Sequence, residues 1–432
     1  MAVAADRKLL TAWCFYDWAN SAFTTLVVTF IYSTYFSQAF APSPEEGTVL
    51  WSRAMGLSAL LVALLAPALG ALADRSGGRK GLLITASLCC ILATATLTLV
   101  APDQPYAIPL ALGLFVLANT AYEIGIVFYN AYLPEIGPAE KTGRLSGYGW
   151  GLGYAGGILC LLTALLTLVN DTPWFQISPA TGLQYRATNL LTALWFLCFS
   201  LPFFLLAPRQ PRSRQAGPTV ASTVGDLAAT LQRLRRFPRI GRFLLAHLIY
   251  NDGLVTLFAF GGIYAAGTFG MTISQVVVFG IVLNIAAGLG ALFFGHLDDA
   301  IGGRRTILLT LAGLTLATIG AALAPTRTWF WLAAIGVGIF VGPNQSASRS
   351  LMGRLTPPEH LAQFYGLFTL SGKITAFMGP LLLGTATALF HSQRAGIATI
   401  IPFFVLGGLI LWPVREQSGD ETAAPETFPS VG

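Results

Sequence analysis

Apolar residues gather along the chain into long runs separated by short clusters of charged, glycine and proline positions. Read as helices, the runs predict spans at about 12–40, 50–73, 81–101, 107–133, 145–169 and 187–207. After a polar connection they continue at about 242–268, 274–297, 306–324, 328–350, 363–390 and 396–414. Most runs reach the roughly 20 residues that a helix needs to cross a hydrocarbon core. The pattern predicts an all-α polytopic membrane protein with twelve transmembrane helices.

Composition agrees. Of 432 residues, 54% are hydrophobic and only 10% charged, where a soluble domain carries about 25% charged residues. Twelve helices of about 20 residues use about 240 positions, leaving enough for short loops, one longer connection and a tail. The net charge is +6. Because the basic residues stand between apolar runs, they speak for membrane topology rather than nucleic acid. One set of loops carries Arg7, Lys8, Arg75, Arg79, Lys80, Lys141, Arg144, Arg304, Arg305, Arg354 and Arg415; the opposite set carries only Arg53, Arg186, Arg327 and Arg394. The first set is expected to be cytoplasmic, with both termini beside it, as an even helix count requires. Arg7 and Lys8 before an apolar run imitate a signal peptide, but that run is longer than a signal core and contains Asp17. It is expected to stay as the first helix.

The connection at 209–241 is rich in Pro, Ser and Arg. Within it Val224, Leu227, Leu231 and Leu234 fall at helical spacing before a cluster of arginines, which suits a basic amphipathic helix on anionic lipid. A plain solvated linker has the same composition. Residues 416–432 are acidic and Pro-containing and are expected to be disordered. Cys14, Cys89, Cys90, Cys160 and Cys198 all lie in apolar runs without ligand spacing, so neither a disulfide framework nor a metal site is expected. No nucleotide-binding Gly-x-x-x-x-Gly-Lys-Ser/Thr loop occurs, and no cofactor is implied.

A duplicated loop divides the chain. Gly70, Leu72, Asp74, Arg75, Gly78, Arg79 and Lys80 follow the second span; Gly295, Leu297, Asp299, Gly303, Arg304 and Arg305 follow the eighth. The glycine-to-aspartate step and the position of the basic pair are the same in both. Pro138 with Gly147 and Pro357 with Gly366 form a weaker echo, as do Tyr16-Asp17 and Tyr250-Asn251-Asp252. Two related six-helix halves, 1–208 and 242–415, are expected. An aspartate where a helix ends can face a neighbouring helix N-terminus or pair with the nearby Arg and Lys residues. Such contacts can lock one side of a transporter and break in its other state.

The first loop closely resembles the signature Gly-x-Leu-x-Asp-Arg-x-Gly-Arg-Arg/Lys of the major facilitator superfamily, with one extra residue before the second glycine. The second copy departs from it at Ala300. The segment Tyr16-Asp17-Trp18-Ala19-Asn20-Ser21-Ala22-Phe23 and Tyr250-Asn251-Asp252-Gly253 resemble the vacuole-effluxer-like branch, related to the autophagy permeases of fungi. The resemblance implies export of small metabolites, amino acids foremost, with a cavity built largely from helices 1, 4, 7, 10 and 11. Superfamily antiporters often carry a Gly-Pro element in the fifth span; here it is missing there, while Gly379-Pro380 stands in the eleventh.

Ionisable residues inside a bilayer usually mark a pathway or a proton relay. Asp17, Glu123, Asp252 and Lys373 fall inside predicted spans, each with polar neighbours at helical spacing. The candidate set is Asp17, Asn20 and Thr24; Asn119, Glu123 and Asn130; Asn251 and Asp252; Asn344 and Gln345; Thr369 and Lys373. Glu123 is the first candidate for a proton or a substrate amine. Lys373 is the candidate for a substrate carboxylate, or for pairing with Glu123. Asp17 and Asp252 fit a rim or gating role. Gly342-Pro343-Asn344-Gln345-Ser346, followed by Arg349, forms a polar kink in the tenth span. The expected function is proton-coupled secondary transport of a small organic solute, efflux favoured, by a monomer in the plasma membrane surrounded by lipid. Transport or scrambling of lysolipid-like amphiphiles and a non-transporting sensor are the alternatives. No Ser/His/Asp set at membrane depth supports an enzyme.

Overall fold

The computed structural model describes residues 7–42, 44–169, 174–175, 182–210, 234–271 and 273–416. Among these residues the chain is helical throughout, without strands. The first rod comprises α1 (Arg7–Ala22), a π-helical stretch (Phe23–Phe30) and α2 (Tyr32–Ala39). There follow α3 (Pro44–Ser76), α4 (Arg79–Leu97), α5 (Ala107–Asn130), the short α6 (Leu133–Ile136), α7 (Thr142–Ala164) and α8 (Leu183–Leu206). The second set is α9 (Pro238–Phe269), α10 (Ile273–Ile301), α11 (Gly303–Leu323) and α12 (Arg327–Leu355). It closes with α13 (Leu361–Ser371), α14 (Met378–Phe390), α15 (Gln393–Ala398) and α16 (Ile401–Leu411).

Nine helices among the described residues are long and apolar enough to span a bilayer. Three predicted spans look different, each for a local reason. In the first, the hydroxyls of Thr24 and Thr25 both donate to the Ser21 carbonyl, at 3.1 and 2.8 Å. These side-chain bonds compete with the backbone ladder where the helix widens into its π stretch. The tenth, α12, is unbroken for 29 residues and contains Pro343, but it carries many polar residues. The eleventh, expected as one rod over 363–390, ends at Ser371, turns through 372–377 and restarts at Met378. Gly372 and Gly379-Pro380 bracket the turn; glycine lowers helix propensity, and proline is tolerated in a helix's first turn.

Large side chains such as Leu92, Leu205, Phe293, Leu316 and Leu389 stand outward and exposed around the bundle. An apolar surface of this extent belongs in lipid. The loops between α3 and α4, α5 and α7, α10 and α11, and α12 and α13 share one end of the bundle. It is called here the basic face, and the other end the far face.

Of the basic connection, the amphipathic helix expected from Val224 lies outside the described residues up to Leu234. So does the tail beyond Glu416. Glu416 itself corrects the expectation of a disordered tail starting there. Its carboxylate accepts from the backbone N–H groups of Gly303 (3.2 Å) and Arg304 (2.5 Å), capping α11.

Candidate functional site

A cavity of about 440 Å³ lies between the two sets of helices. On the first rod, α5 and α7 its wall is mostly polar, with Asn20, Ser21, Thr24, Thr25, Tyr122, Asn130 and Tyr154. On α9, α10 and α12 it is mostly apolar, with Leu257, Phe258, Phe279, Ile281, Leu283 and Val337. Its floor carries Asp17 and Arg349. From that floor the lining runs along the first rod to Thr29 and Phe30 and along α7 to Leu161, so the cavity extends toward the far face.

The floor is an ion pair between the two sets. Arg349 Nη1 lies 2.9 Å from Asp17 Oδ2 and 3.4 Å from Asn130 Oδ1. Its Nε donates to Ser146 Oγ at 2.9 Å and its Nη2 to the Ser146 carbonyl at 2.6 Å. The guanidinium faces the rings of Trp13, Tyr129 and Trp150 at 4.9, 5.8 and 5.6 Å. Arg349 is 3% exposed, so this packing replaces nearly all of its water. Gly149 and Gly153 let α7 approach: a Cβ at Gly149 would stand 2.6 Å from Asp17 Oδ2.

A second cross-set pair joins Lys373 to Glu123, Nζ to Oε1 at 2.8 Å, with both side chains partly exposed. Lys373 does not share a helix with Thr369, because α13 ends before it. It sits in the turn 372–377. That turn is tied to α9. His247 Nδ1 and Ser371 Oγ are 2.7 Å apart. Asn251 Nδ2 donates to the Gly372 carbonyl at 3.0 Å. Thr375 Oγ1 donates to the Leu248 carbonyl at 3.2 Å. The backbone N–H of Gly379 donates to Asp252 Oδ2 at 3.1 Å.

The duplicated loops meet the opposite set of helices in matching ways. Asp74 accepts from the N–H groups of Ala362 (3.1 Å) and Gln363 (2.8 Å) at the start of α13. Asp299 accepts from those of Gly143 (2.8 Å) and Arg144 (3.3 Å) at the start of α7. Each aspartate thus caps a helix of the other set, where the dipole and free N–H groups favour a negative charge. Arg79 joins Asp74 (3.2 Å) to Glu135 (2.6 Å); Arg354 joins Asp298 (2.7 Å) to Asp299 (3.3 Å). Lys80 Nζ donates to the carbonyls of Leu205 and Ala207 at the end of α8. Arg304 Nη1 does the same to Trp412 and Val414 after α16. Arg75 is half-buried and Arg305 exposed. Glycines seal the same end. A Cβ at Gly70 would strike the Ala362 carbonyl, one at Gly366 would lie 2.6 Å from the Ala66 carbonyl, and one at Gly147 2.5 Å from that of Ala291. The basic face is shut.

A family model described as "Vacuole effluxer Atg22 like" matches residues 48–424. The chain belongs to this Atg22-like family. The MFS-type transporter YxiO of Bacillus subtilis (strain 168) is 26% identical over 426 residues, covering 96% of this chain and 97% of its own. Autophagy-related protein 22 of Kluyveromyces lactis is 25% identical, covering 81% of this chain and 76% of its own. Autophagy-related protein 22-1 of Penicillium rubens is also 25% identical, and the match takes in 50% of that longer protein. The fucose transporter FucP, solved in the outward conformation, superposes with TM-score 0.76 at 14% identity over 95% of this chain and all of its own. The proton:xylose symporter XylE gives 0.73 at 13% identity, over 95% and 96%. The Atg22-like chain therefore has the major facilitator fold and is a multi-pass membrane transporter, as its relatives are, and not an enzyme.

Within this Atg22-like fold the structure brings together only part of the sequence-derived set. Asp17, Asn20, Thr24 and Asn130 line the cavity. Gln345 Oε1 accepts from the hydroxyl of the lining residue Tyr154 at 2.8 Å. Two candidates turn away from the cavity. Asn119 donates to Ser58 Oγ at 2.8 Å, binding α5 to α3, and Asn344 donates to Thr310 Oγ1 at 2.9 Å, binding α12 to α11. Each is a helix-to-helix tie. Asn251 and Asp252 serve the α9 seam, and Thr369 lies on the last turn of α13 beside it. Arg349 is the residue sequence reasoning undervalued. The apolar pattern of the tenth span stops at about 350, which puts Arg349 at the very end of that span. In the structure α12 continues to Leu355, leaving Arg349 about 9 Å inside the helix end. Ser146, Asp298, Arg354 and Glu416 were missed because their partners are remote in sequence: Ser146 meets Arg349 of the other half, while Asp298, Arg354 and Glu416 are joined to one another and to the start of α11 within their own half.

Proposed function

We propose that the chain exports a small zwitterionic metabolite with an apolar side chain, in the first instance an apolar amino acid, by proton-coupled alternating access. The observation that carries this reading is the Asp17–Arg349 pair at the floor of a cavity with one polar and one apolar wall. A zwitterion can exchange partners with such a pair, its carboxylate taking Arg349 and its ammonium Asp17, while its side chain rests on Leu257, Phe279 and Val337. Neither charge is then left unpaired in a dry site, which would cost several kcal/mol. The volume suits a small metabolite.

The excess of Lys and Arg makes the basic face cytoplasmic, so the cavity described here faces outward. Asp74 and Asp299 act as its cytoplasmic latches, with Gly70, Arg75, Arg79, Lys80, Arg304 and Arg305 in the gating loops. The Glu123–Lys373 pair spans the halves at membrane depth and reforms or breaks as they rock. The protein works as a monomer in the plasma membrane. A lysolipid is the competing cargo, because the apolar wall would also take an acyl chain.

The test is flux of radiolabelled leucine in proteoliposomes with and without a pH gradient, with lysophosphatidylcholine as competitor. The expected result is saturable leucine flux that rises with the gradient, and falls at least about tenfold, or 1.4 kcal/mol, in Arg349→Lys. Lysine keeps the charge but loses the planar fork. Flux untouched by Arg349→Lys, or competition by the lysolipid alone, would refute the amino acid reading.

A further inference from the structure

Apart from the carboxylates that join the loops of the basic face, three carboxylates among the described residues lie within the bundle between the helix sets or beside them: Asp17, Glu123 and Asp252. Two are answered by cations. Asp17 has Arg349 at 2.9 Å and Glu123 has Lys373 at 2.8 Å. Asp252 has none among the described residues, although it is the most deeply buried of the three, at 1% exposure. Its Oδ2 receives the Gly379 N–H at 3.1 Å, and its Oδ1 is buried without a hydrogen-bond partner. Thr256, one turn on, does not help, since its hydroxyl donates to the Asp252 backbone carbonyl.

We infer that Asp252 is the group that carries the coupling proton, held between α9 and the start of α14. This rests on the reading of the chain as a proton-coupled transporter. The argument is one of charge. A buried carboxylate with a single amide donor and a free oxygen is among the costliest groups a membrane interior can hold. A protonated carboxyl in the same place is neutral. It still accepts from Gly379, and the proton removes the charge from the oxygen that has no donor.

Among the described residues the surroundings offer no other neutraliser. Of the elements packed on α9, α13 brings Ser371 and Tyr365, and the turn brings Lys373, already paired. α14 and α16 bring no charged side chain. α15 brings Arg394, bound to the Ala322 carbonyl. α12 brings Arg349 and Arg354, and α10 brings Asp298 and Asp299, which are engaged in the networks described above. On α9 itself His247 is held by Ser371 and stacked on Phe368 with ring centroids 4.1 Å apart. Arg239 and Arg242 stand at the basic end.

Release is a simple transfer: the O–H bond of the carboxyl breaks, the electron pair stays on Asp252, and the proton passes to water. In the present state Asp252 is closed from the cavity, so water reaches it only when the turn 372–377 lifts from α9. That turn also carries Lys373. Loss of the proton and separation of the Glu123–Lys373 pair therefore act on one hinge. The proton role moves from Glu123, already neutralised by Lys373, to Asp252.

The experiment has two arms. In infrared difference spectra between neutral and alkaline pH, the protein should show the carbonyl band of a protonated carboxylic acid. Asp252→Asn should lack this band, whereas Glu123→Gln should retain it. In proteoliposomes, Asp252→Asn should still exchange leucine downhill, with the ratio of flux with and without a pH gradient falling to about one. Asp252→Glu covers the case in which the asparagine variant does not fold: it should keep the band at a shifted position. A band that survives in Asp252→Asn or disappears in Glu123→Gln, or a gradient response unchanged in Asp252→Asn, would overturn the assignment. Absence of leucine flux in the unmodified protein would defeat the transport reading instead, and the infrared arm would still decide whether Asp252 holds a proton.

Discussion

Arg349 is held by two carboxyl or amide oxygens, the oxygens of Ser146 and three aromatic faces. Removing one member of a buried ion pair strands the other, at a cost of about 3–5 kcal/mol. Asp17→Ala should therefore destabilise the protein by about that amount in detergent unfolding. Asp17→Ala combined with Arg349→Leu should be less damaging than the sum of the single changes. Additive losses would show that the two residues act separately. At this scale the sequence was partly legible. An aspartate in an apolar run advertises itself, and Asp17 was found. Arg349 stood at the margin of its run, and its importance depends on Asp17, Asn130 and Ser146, which lie far away in sequence. Asn119 and Asn344 were misjudged for a related reason. A polar side chain on a helix can face a cavity or a neighbouring helix, and spacing within one helix does not say which.

The elements show why glycine is placed where it is. On α7, one row (Gly143, Gly147, Gly151) meets α10, and another (Gly149, Gly153, Gly157) meets α1. The first row belongs to the seam between the halves. Gly147→Val should press on the Ala291 carbonyl and oppose the shut basic face by about 1–3 kcal/mol, enough for a tenfold or larger change in the balance of states. Thr25→Cys in the cavity should then react more slowly with a membrane-impermeant maleimide applied from the far side. An unchanged rate would mean that the seam does not control opening. Runs of apolar residues revealed most of the spans. They did not reveal the π stretch after α1 or the turn between α13 and α14. The first coincides with the Thr24 and Thr25 hydroxyls competing for a backbone carbonyl, the second with the weak helix propensity of Gly372 and Gly379 and the restart at Met378 with Pro380 in its first turn. Hydrophobicity is blind to both effects.

For the whole molecule, the repeat at Gly70–Lys80 and Gly295–Arg305 was the most informative feature of the sequence. Asp74 and Asp299 each cap a helix in the opposite half, and Lys80 and Arg304 each bind the carbonyls ending a helix in their own. The sequence could show that the loops match, but not that each aspartate reaches across. Asp74→Asn and Asp299→Asn should each weaken the latch on the basic face, by about 1.5–3 kcal/mol for charge-assisted bonds, Asp299→Asn the more strongly because Asp299 also pairs with Arg144 of the opposite half at 2.6 Å. The most direct test of the account is the distance between spin labels, read by double electron–electron resonance in nanodiscs with Cys198 replaced. One pair stands at Glu140 and Glu359 on the basic face, the other at Asp103 and Pro325 on the far face; all four positions are exposed. The account predicts that in the Asp74→Asn, Asp299→Asn double variant the first distance lengthens while the second shortens. If both distances stay as they are, or change in the same direction, the halves do not rock about the Asp17–Arg349 floor.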